Sequence, residues 1–249
     1  MAERFFIAAP PRDGRALLGA DEARHLARVL RAKVGDAVVV FDGRGGQWPA
    51  RVARIDRDSV AVDLIDDLTN AGAAADHSAG IHAGPALTLA VALPKGERQK
   101  WMVEKLTELG VDRLVPLVTA RGVAEATAAA TSRLERVVIE ACKQCGRNTL
   151  LEIGAAATIE SLAAALPPAA SRLIAHPGGP PLDAAAVIAA GADVPRDLVA
   201  AVGPEGGFTP DEVAAAERHG FRPVSLGPHV LRIETAAIAL AARFAHRSR

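Results

Sequence analysis

Between residues 37 and 65 three short runs rich in Val and other apolar side chains, 37–41, 48–55 and 59–65, are separated by turns containing Gly or Asp. Runs of that length and composition between turn residues read as strands. Just upstream, Ala23, Leu26, Ala27 and Leu30 recur at helical spacing behind Asp21, a suitable N-cap. From residue 86 the pattern changes. Continuous apolar runs at 87–93, 113–118, 172–175, 198–202 and 223–226 read as strands buried on both faces, and 98–109, 132–144, 159–165, 181–189, 210–219 and 235–246 read as helices. Such alternation predicts a parallel sheet covered on both sides, an α/β domain following a small β-rich one. Between 69 and 85 large apolar side chains almost vanish, which reads as a linker, so the expected division is 1–68, 69–85 and 86–249.

Two loops of the α/β part carry the chemistry. Val202-Gly203-Pro204-Glu205-Gly206-Gly207-Phe208 and the stretch from Leu226-Gly227 through Val230-Leu231-Arg232-Ile233-Glu234-Thr235-Ala236 each follow a predicted strand and lead into a helix. Both therefore fall at strand C-terminal ends, where open α/β sheets bind ligands. Glycines let a ligand approach the backbone. The helix after the first loop has Thr209 as N-cap, Pro210 at its first position and Glu212 three residues on, a capping box. No Gly-Lys-Ser/Thr follows the glycines and the G-x-G-x-x-G spacing is absent, so neither a P-loop nor a dinucleotide fingerprint is present. A neutral or cationic nucleoside ligand suits the loops better.

Composition narrows the function classes. The 249 residues are 50% hydrophobic, enough for a sizeable core, and 29 basic against 29 acidic residues give a formal net charge of +0. No global field draws the chain to nucleic acid; contact with it requires a local patch. Arg12, Arg15, Arg24, Arg28, Arg31 and Lys33, against Asp13, Asp21 and Glu22, form one. No apolar run approaches a membrane span and the N-terminal run is too short for a secretory signal, so a cytoplasmic location without a membrane partner is expected. Cys142 and Cys145 lie inside a helical pattern with no second ligand pair, which favours reduced thiols over a zinc or redox site.

The chain resembles the SPOUT methyltransferases, and among them the branch acting on N3 of uridine in 16S ribosomal RNA. The resemblance rests on Gly203 to Phe208, on Leu226-Gly227 with Leu231 to Ala236, on Lys95-Gly96 with the helix from Trp101 to Gly110, and on Glu140 to Arg147. In the N-terminal part Arg4-Phe5-Phe6, His25 to Arg31 and Val34-Gly35-Asp36 match. It implies a PUA-like β-barrel followed by a parallel sheet with a deep trefoil knot, S-adenosyl-L-methionine as cofactor, no metal, a homodimer whose last helix contributes Ala237, Ile238, Ala241 and Ala242, and 16S rRNA of the small ribosomal subunit as substrate.

The resemblance also implies residue roles. Ala175, His176, Pro177, Gly178, Val202, Gly203, Pro204, Gly206, Leu226, Gly227, Val230, Leu231 and Thr235 would hold the cofactor; Arg4, His25, Arg28, Arg31, Lys33, Lys95 and Arg147 would meet RNA. Arg232 would stabilise the anion that develops when uridine N3 loses its proton, since a guanidinium presents a fork of donors. Glu205 either orients the target or assists proton removal, or else serves the loop through capping or ion pairing. His176 is either a cofactor contact or an ordinary loop histidine, and Glu234 favours the start of the last helix through its dipole. Methylation of a ribose 2′-hydroxyl or another base, and non-catalytic RNA binding during ribosome assembly, are the competing readings.

Overall fold

Every second residue of the longest N-terminal strand points inward. In β4 (Gln47–Ile55) Trp48, Ala50 and Val52 are buried while Gln47 and Arg51 are exposed. The structure, a computed structural model, describes residues 2–65, 86–123, 127–183 and 197–244. β4 pairs antiparallel with β3 (Ala37–Phe41) and β5 (Val60–Leu64), with a register shift between Val52 and Arg54. Two strands that the periodicity does not predict, β1 (Glu3–Phe6) and β2 (Arg15–Leu18), extend this to a five-stranded sheet ordered β1-β3-β4-β5-β2. Each is only four residues long, too short for a period to register. The core they share includes Phe5, Ile7, Leu18, Leu26, Val40, Trp48 and Val62.

The helix in this part departs from expectation. Its N-cap is Gly19, not Asp21, which lies in the first turn of α1 (Ala20–Arg24) and accepts from Arg24 at 3.2 Å. The helix then widens into a π-turn, His25–Val29, closed by the bond from Leu30 N–H to the His25 carbonyl. The extra residue per turn leaves Leu26 buried but rotates Leu30 off the apolar stripe to the surface, where Val29 is also exposed.

The unit around this sheet comprises Met1–Ala83 together with Ile139–Leu150. The predicted linker, 69–85, lies outside the described residues. Ile139–Leu150 is joined to the sheet by named contacts. Lys143 Nζ meets Glu22 at 3.1 Å, where burial pushes the Glu22 carboxyl above its ordinary value and Lys143 pulls the other way. Arg4 donates to Asn148 Oδ1 at 2.6 Å, to the Arg147 carbonyl at 3.3 Å and to Gln47, and its guanidinium lies 4.9 Å from the Phe41 ring centroid.

The second unit, Gly84–Val138 with Leu151–Arg249, is built on a six-stranded parallel sheet. Its order is β11 (Arg222–Val224), β9 (Ser171–Ala175), β10 (Leu198–Val202), β6 (Leu87–Val91), β7 (Arg113–Pro116), β8 (Glu152–Ile153). All five residues of β10 are buried, as a central parallel strand requires. Val199 and Ala201 pack with Ile159 and Leu162 of α4 (Ile159–Ala165) and Ala216 of α5 (Pro210–Arg218), while α6 (Ile233–Phe244) packs on β6, β10 and α2 (Glu97–Glu108). The long α3 (Ala128–Cys145) begins earlier than its predicted start at 132.

The capping box of α5 forms as predicted: Thr209 Oγ1 accepts from Glu212 N–H at 3.2 Å and the Glu212 carboxylate accepts from Thr209 N–H at 2.8 Å. Of the predicted helix 181–189, Pro181 instead makes a parallel bridge to Ser225, and 184–189 lie outside the described residues. Strand β11 stops at Val224, two residues short of expectation, and α6 starts at Ile233, two residues early. Residues 245 and 246 of that predicted helix also lie outside the described residues.

Cys142 is fully buried, and burial pushes its thiol up to about 11; Cys145 is exposed. One thiol of the native chain should therefore react with a disulfide reagent at about pH 8, and the second only after denaturation. Titration of both thiols at equal rate in the native chain contradicts that burial.

Candidate functional site

Strands β11, β9 and β10 are neighbours and parallel, so Val224, Ala175 and Val202 end on one edge of the sheet. Three loops leave that edge together, 176–180, 203–209 and 225–232. The first and third are tied by backbone bonds: His176 N–H donates to the Val224 carbonyl at 2.9 Å and Ser225 N–H to the Pro180 carbonyl at 2.7 Å. Between the loops lies a cavity of about 300 Å³, at the lower end of the size range of small-molecule sites.

Packing explains the sequence of the middle loop. A Cβ at Gly203 would stand 2.9 Å from the Phe208 ring, so the missing side chain is what lets Phe208 tuck in and become 93% buried. Gly207 has φ 69° and donates to the Pro204 carbonyl at 2.8 Å, closing a tight turn. Gly206 plays a different part. Its carbonyl accepts from Arg121 Nη1 at 2.7 Å, and a Cβ there would meet the Arg121 side chain at 3.1 Å rather than the cavity.

Of the residues expected at the cofactor, Ala175, His176, Pro177, Val202, Gly203, Pro204, Leu226, Gly227, Val230 and Leu231 line the cavity, and Glu205 does as well. Gly178, Gly206 and Thr235 lie outside the lining. Gly178 N–H instead donates to His176 Nδ1 at 3.1 Å, which orients that ring. Arg232 also lies outside the lining, exposed between the lining residues Leu231 and Ile233, with its carbonyl accepting the Ala236 N–H at the start of α6. Sequence reasoning missed Gly207, Phe208, Ser225, His229, Ile233 and Ala236. The spacing of Ile233 and Ala236 on one helix face was the available signal for the last two.

Among the described residues Glu205 is the only formally charged side chain in the lining, which includes none of their Lys or Arg side chains. The carboxylate is held by Arg98, whose Nη2 donates to Glu205 Oε1 at 3.0 Å. The same guanidinium lies 3.7 Å from Oε2 of Glu234, whose side chain is 6% exposed. Glu234 is thus a buried ion-pair member as well as a first-turn acid of α6.

In the first unit, Arg28, Arg31 and Lys33 are exposed, and Arg31 adopts φ 53°, a left-handed conformation uncommon for a non-glycine residue. His25 is half-buried against Phe5, with ring centroids 6.4 Å apart. Arg4 and Arg147 are occupied within the unit: Arg4 as described above, and Arg147 through Nε to Thr149 Oγ1 at 3.2 Å. In the second unit Lys95 is exposed. Of the four residues expected at a dimer contact, Ala237 and Ala241 are fully buried within the unit, while Ile238 is half-buried and Ala242 exposed. Among the described residues no helix is long and apolar enough to cross a membrane.

A parallel sheet with glycine loops and a cavity at the C-terminal ends of adjacent strands defines an α/β domain built to hold a small ligand. Comparison with known proteins makes this specific. Residues 82–245 match the RNA methyltransferase domain family and residues 18–65 the RNA methyltransferase PUA domain. Ribosomal RNA small subunit methyltransferase E of Synechocystis sp. is 32% identical over 88% of this chain and 69% of its own length, and that of Mycobacterium tuberculosis is 30% identical over 97% and 91%. The crystal structure of the Neisseria gonorrhoeae ribosomal RNA small subunit methyltransferase E bound to S-adenosyl methionine superposes with a TM-score of 0.80, at 27% identity, over 97% of this chain and 96% of that one. The chain belongs to the RNA methyltransferase family, and within it to the ribosomal RNA small subunit methyltransferase E group.

Because the Gly203 Cβ position falls on the Phe208 ring, Gly203→Ala is expected to cost about 1–3 kcal/mol in a denaturant melt, and Phe208→Leu in the same chain to recover part of it. A wild-type midpoint in Gly203→Ala would contradict the packing.

Proposed function

We propose that this chain transfers a methyl group from S-adenosyl-L-methionine to N3 of one uridine in 16S ribosomal RNA of the small subunit, as a cytoplasmic homodimer. The observation that carries the reading is the cavity at the ends of β9, β10 and β11, whose lining is mostly apolar with one carboxylate among the described residues, Glu205. Such a lining suits a cationic nucleoside, and the gonococcal relative is bound to S-adenosyl methionine. Leu226, Val230 and Leu231 offer apolar cover for a base, while Gly203 and Gly227, which have no side chain, bring main chain to the wall beside Ala175, His176, Pro177, Val202 and Pro204. Gly178 and Gly206 serve from behind the lining through their bonds to His176 and Arg121, and Thr235 stands exposed in the first turn of α6. The deep trefoil knot belongs to the same reading; its support is the return of the chain from edge strand β11 to α6, packed on β6 and β10.

S-adenosyl-L-methionine supplies a methyl group already activated by its sulfonium, so the protein's task is orientation, exclusion of water and management of one proton. Uridine N3 carries that proton at neutral pH and becomes a nucleophile as it leaves. Arg232, exposed in the chain between the lining residues Leu231 and Ile233, directs its donors at the anion developing across N3 and the flanking carbonyls. Glu205, at the cavity wall, orients the target or takes the proton.

RNA is engaged through phosphates by Arg28, Arg31 and Lys33, all exposed, with His25 beside them and Lys95 in the second unit. Arg4 and Arg147, both expected at the RNA, have their side chains occupied by contacts within the first unit. The homodimer contact falls to Ile238 and Ala242, the two residues of the expected set that reach the surface of α6.

Methyl transfer to purified small subunits, followed by nucleoside analysis, is expected to yield N3-methyluridine; a methyl group on ribose overturns the assignment. Arg232→Ala should lower kcat about 100-fold or more while changing cofactor affinity far less, and an equal loss in both contradicts its role. Arg28→Ala with Arg31→Ala should weaken RNA binding and reduce the slope of log affinity against log salt by roughly 0.9 per lost phosphate contact, with cofactor affinity unchanged in calorimetry. An unaltered slope removes both residues from the RNA surface.

A further inference from the structure

Glu234 is an expensive group. Its side chain is 6% exposed, and its Oε2 has no hydrogen-bond partner among the described residues. A carboxylate in that state requires a nearby cation. Among the described residues its ion-pair partner is Arg98, at 3.7 Å, too long for a hydrogen bond. Arg98 spends its other amino group, Nη2, on Glu205 at 3.0 Å. One guanidinium in the first turn of α2 thus stands between two carboxylates: Glu205 belongs to the loop after β10 and Glu234 follows the loop after β11. Those are two of the three loops that wall the cavity.

We propose that Arg98 is a positioning residue that fixes Glu205 at the cavity wall and couples the two loops through Glu234. The planar fork of a guanidinium serves two acceptors at once, which the point charge of a lysine does not. The division is unequal: the exposed carboxylate receives the hydrogen bond and the buried one receives only proximity. That inequality gives Arg98 two functions that can be separated. Toward Glu234 it compensates a buried charge, a contribution to stability. Toward Glu205 it sets the orientation of a group that meets the ligand, a contribution to binding and turnover. The proposal rests on the reading of the cavity as the S-adenosyl-L-methionine site.

Separation of the two functions is the test, read on the full-length chain by thermal melting, by calorimetric binding of S-adenosyl-L-methionine and by methyl transfer to small subunits. Arg98→Ala is expected to lower the melting temperature, to weaken cofactor binding about tenfold and to lower kcat by at least as much. Adding Glu234→Gln removes the uncompensated buried charge, so the double variant should regain its melting temperature while binding and kcat stay low. Arg98→Ala should add little to the losses caused by Glu205→Ala, because both changes break one contact. Recovery of binding and turnover together with stability in Arg98→Ala/Glu234→Gln would overturn the proposal, as would additive losses from Arg98→Ala and Glu205→Ala. Failure of the wild-type chain to bind S-adenosyl-L-methionine refutes the reading of the cavity instead, and failure to methylate small subunits refutes only the substrate, since the binding and melting arms still report on Arg98.

Discussion

A strand buried on both faces has no side chain to spare for chemistry along its length, and β10 is such a strand. Leu198, Val199, Ala200, Ala201 and Val202 are all buried, hydrogen-bonded to β9 on one side and β6 on the other. Polar and conformationally special residues are thereby pushed to the strand's end. Because β9 and β11 run parallel beside it, their ends open on the same edge. Three loops must share that space, and the cavity is the gap their backbones leave.

The loops keep the gap by close approach rather than by large side chains. Gly203 yields its Cβ volume to the Phe208 ring, and the 176–182 stretch is zipped to Val224 and Ser225 by backbone bonds. Arg121 holds the Gly206 carbonyl, and Glu212, besides capping its own helix, accepts from Ala120 N–H at 2.7 Å. The 119–122 segment thus braces the middle loop from outside. A ligand site of this kind is specified by main-chain positions, which suits recognition of a nucleoside through its edges and faces.

The first unit solves a different problem. Its alternating strands leave one sheet face for the core around Trp48 and Phe5, and the π-turn at His25–Val29 keeps Leu26 in that core while Arg28 stays exposed. Arg4 illustrates how charge becomes structure: stacked on Phe41 and bonded to Asn148, with burial lowering its affinity for a proton, it joins β1 to the Ile139–Leu150 segment. Its place in the sequence, between Glu3 and Phe5, gave no hint of that.

The sequence by itself determined the elements whose information is local. The apolar run at 198–202, the capping box Thr209-Pro210-Asp211-Glu212 and the turn at Gly207, φ 69°, each specify their conformation within a few residues, through apolar run, cap and φ. Tertiary structure alone decided what depends on partners distant in the chain. The four-residue strands β1 and β2 exist because neighbours pair with them, and Gly206 faces Arg121 rather than the cavity, across 85 residues of sequence. Arg98 and Glu205, 107 residues apart, meet only because α2 and the loop after β10 are brought together by folding. No periodicity encodes such a contact, since a charge reads the same in sequence whether it faces water or a buried carboxylate.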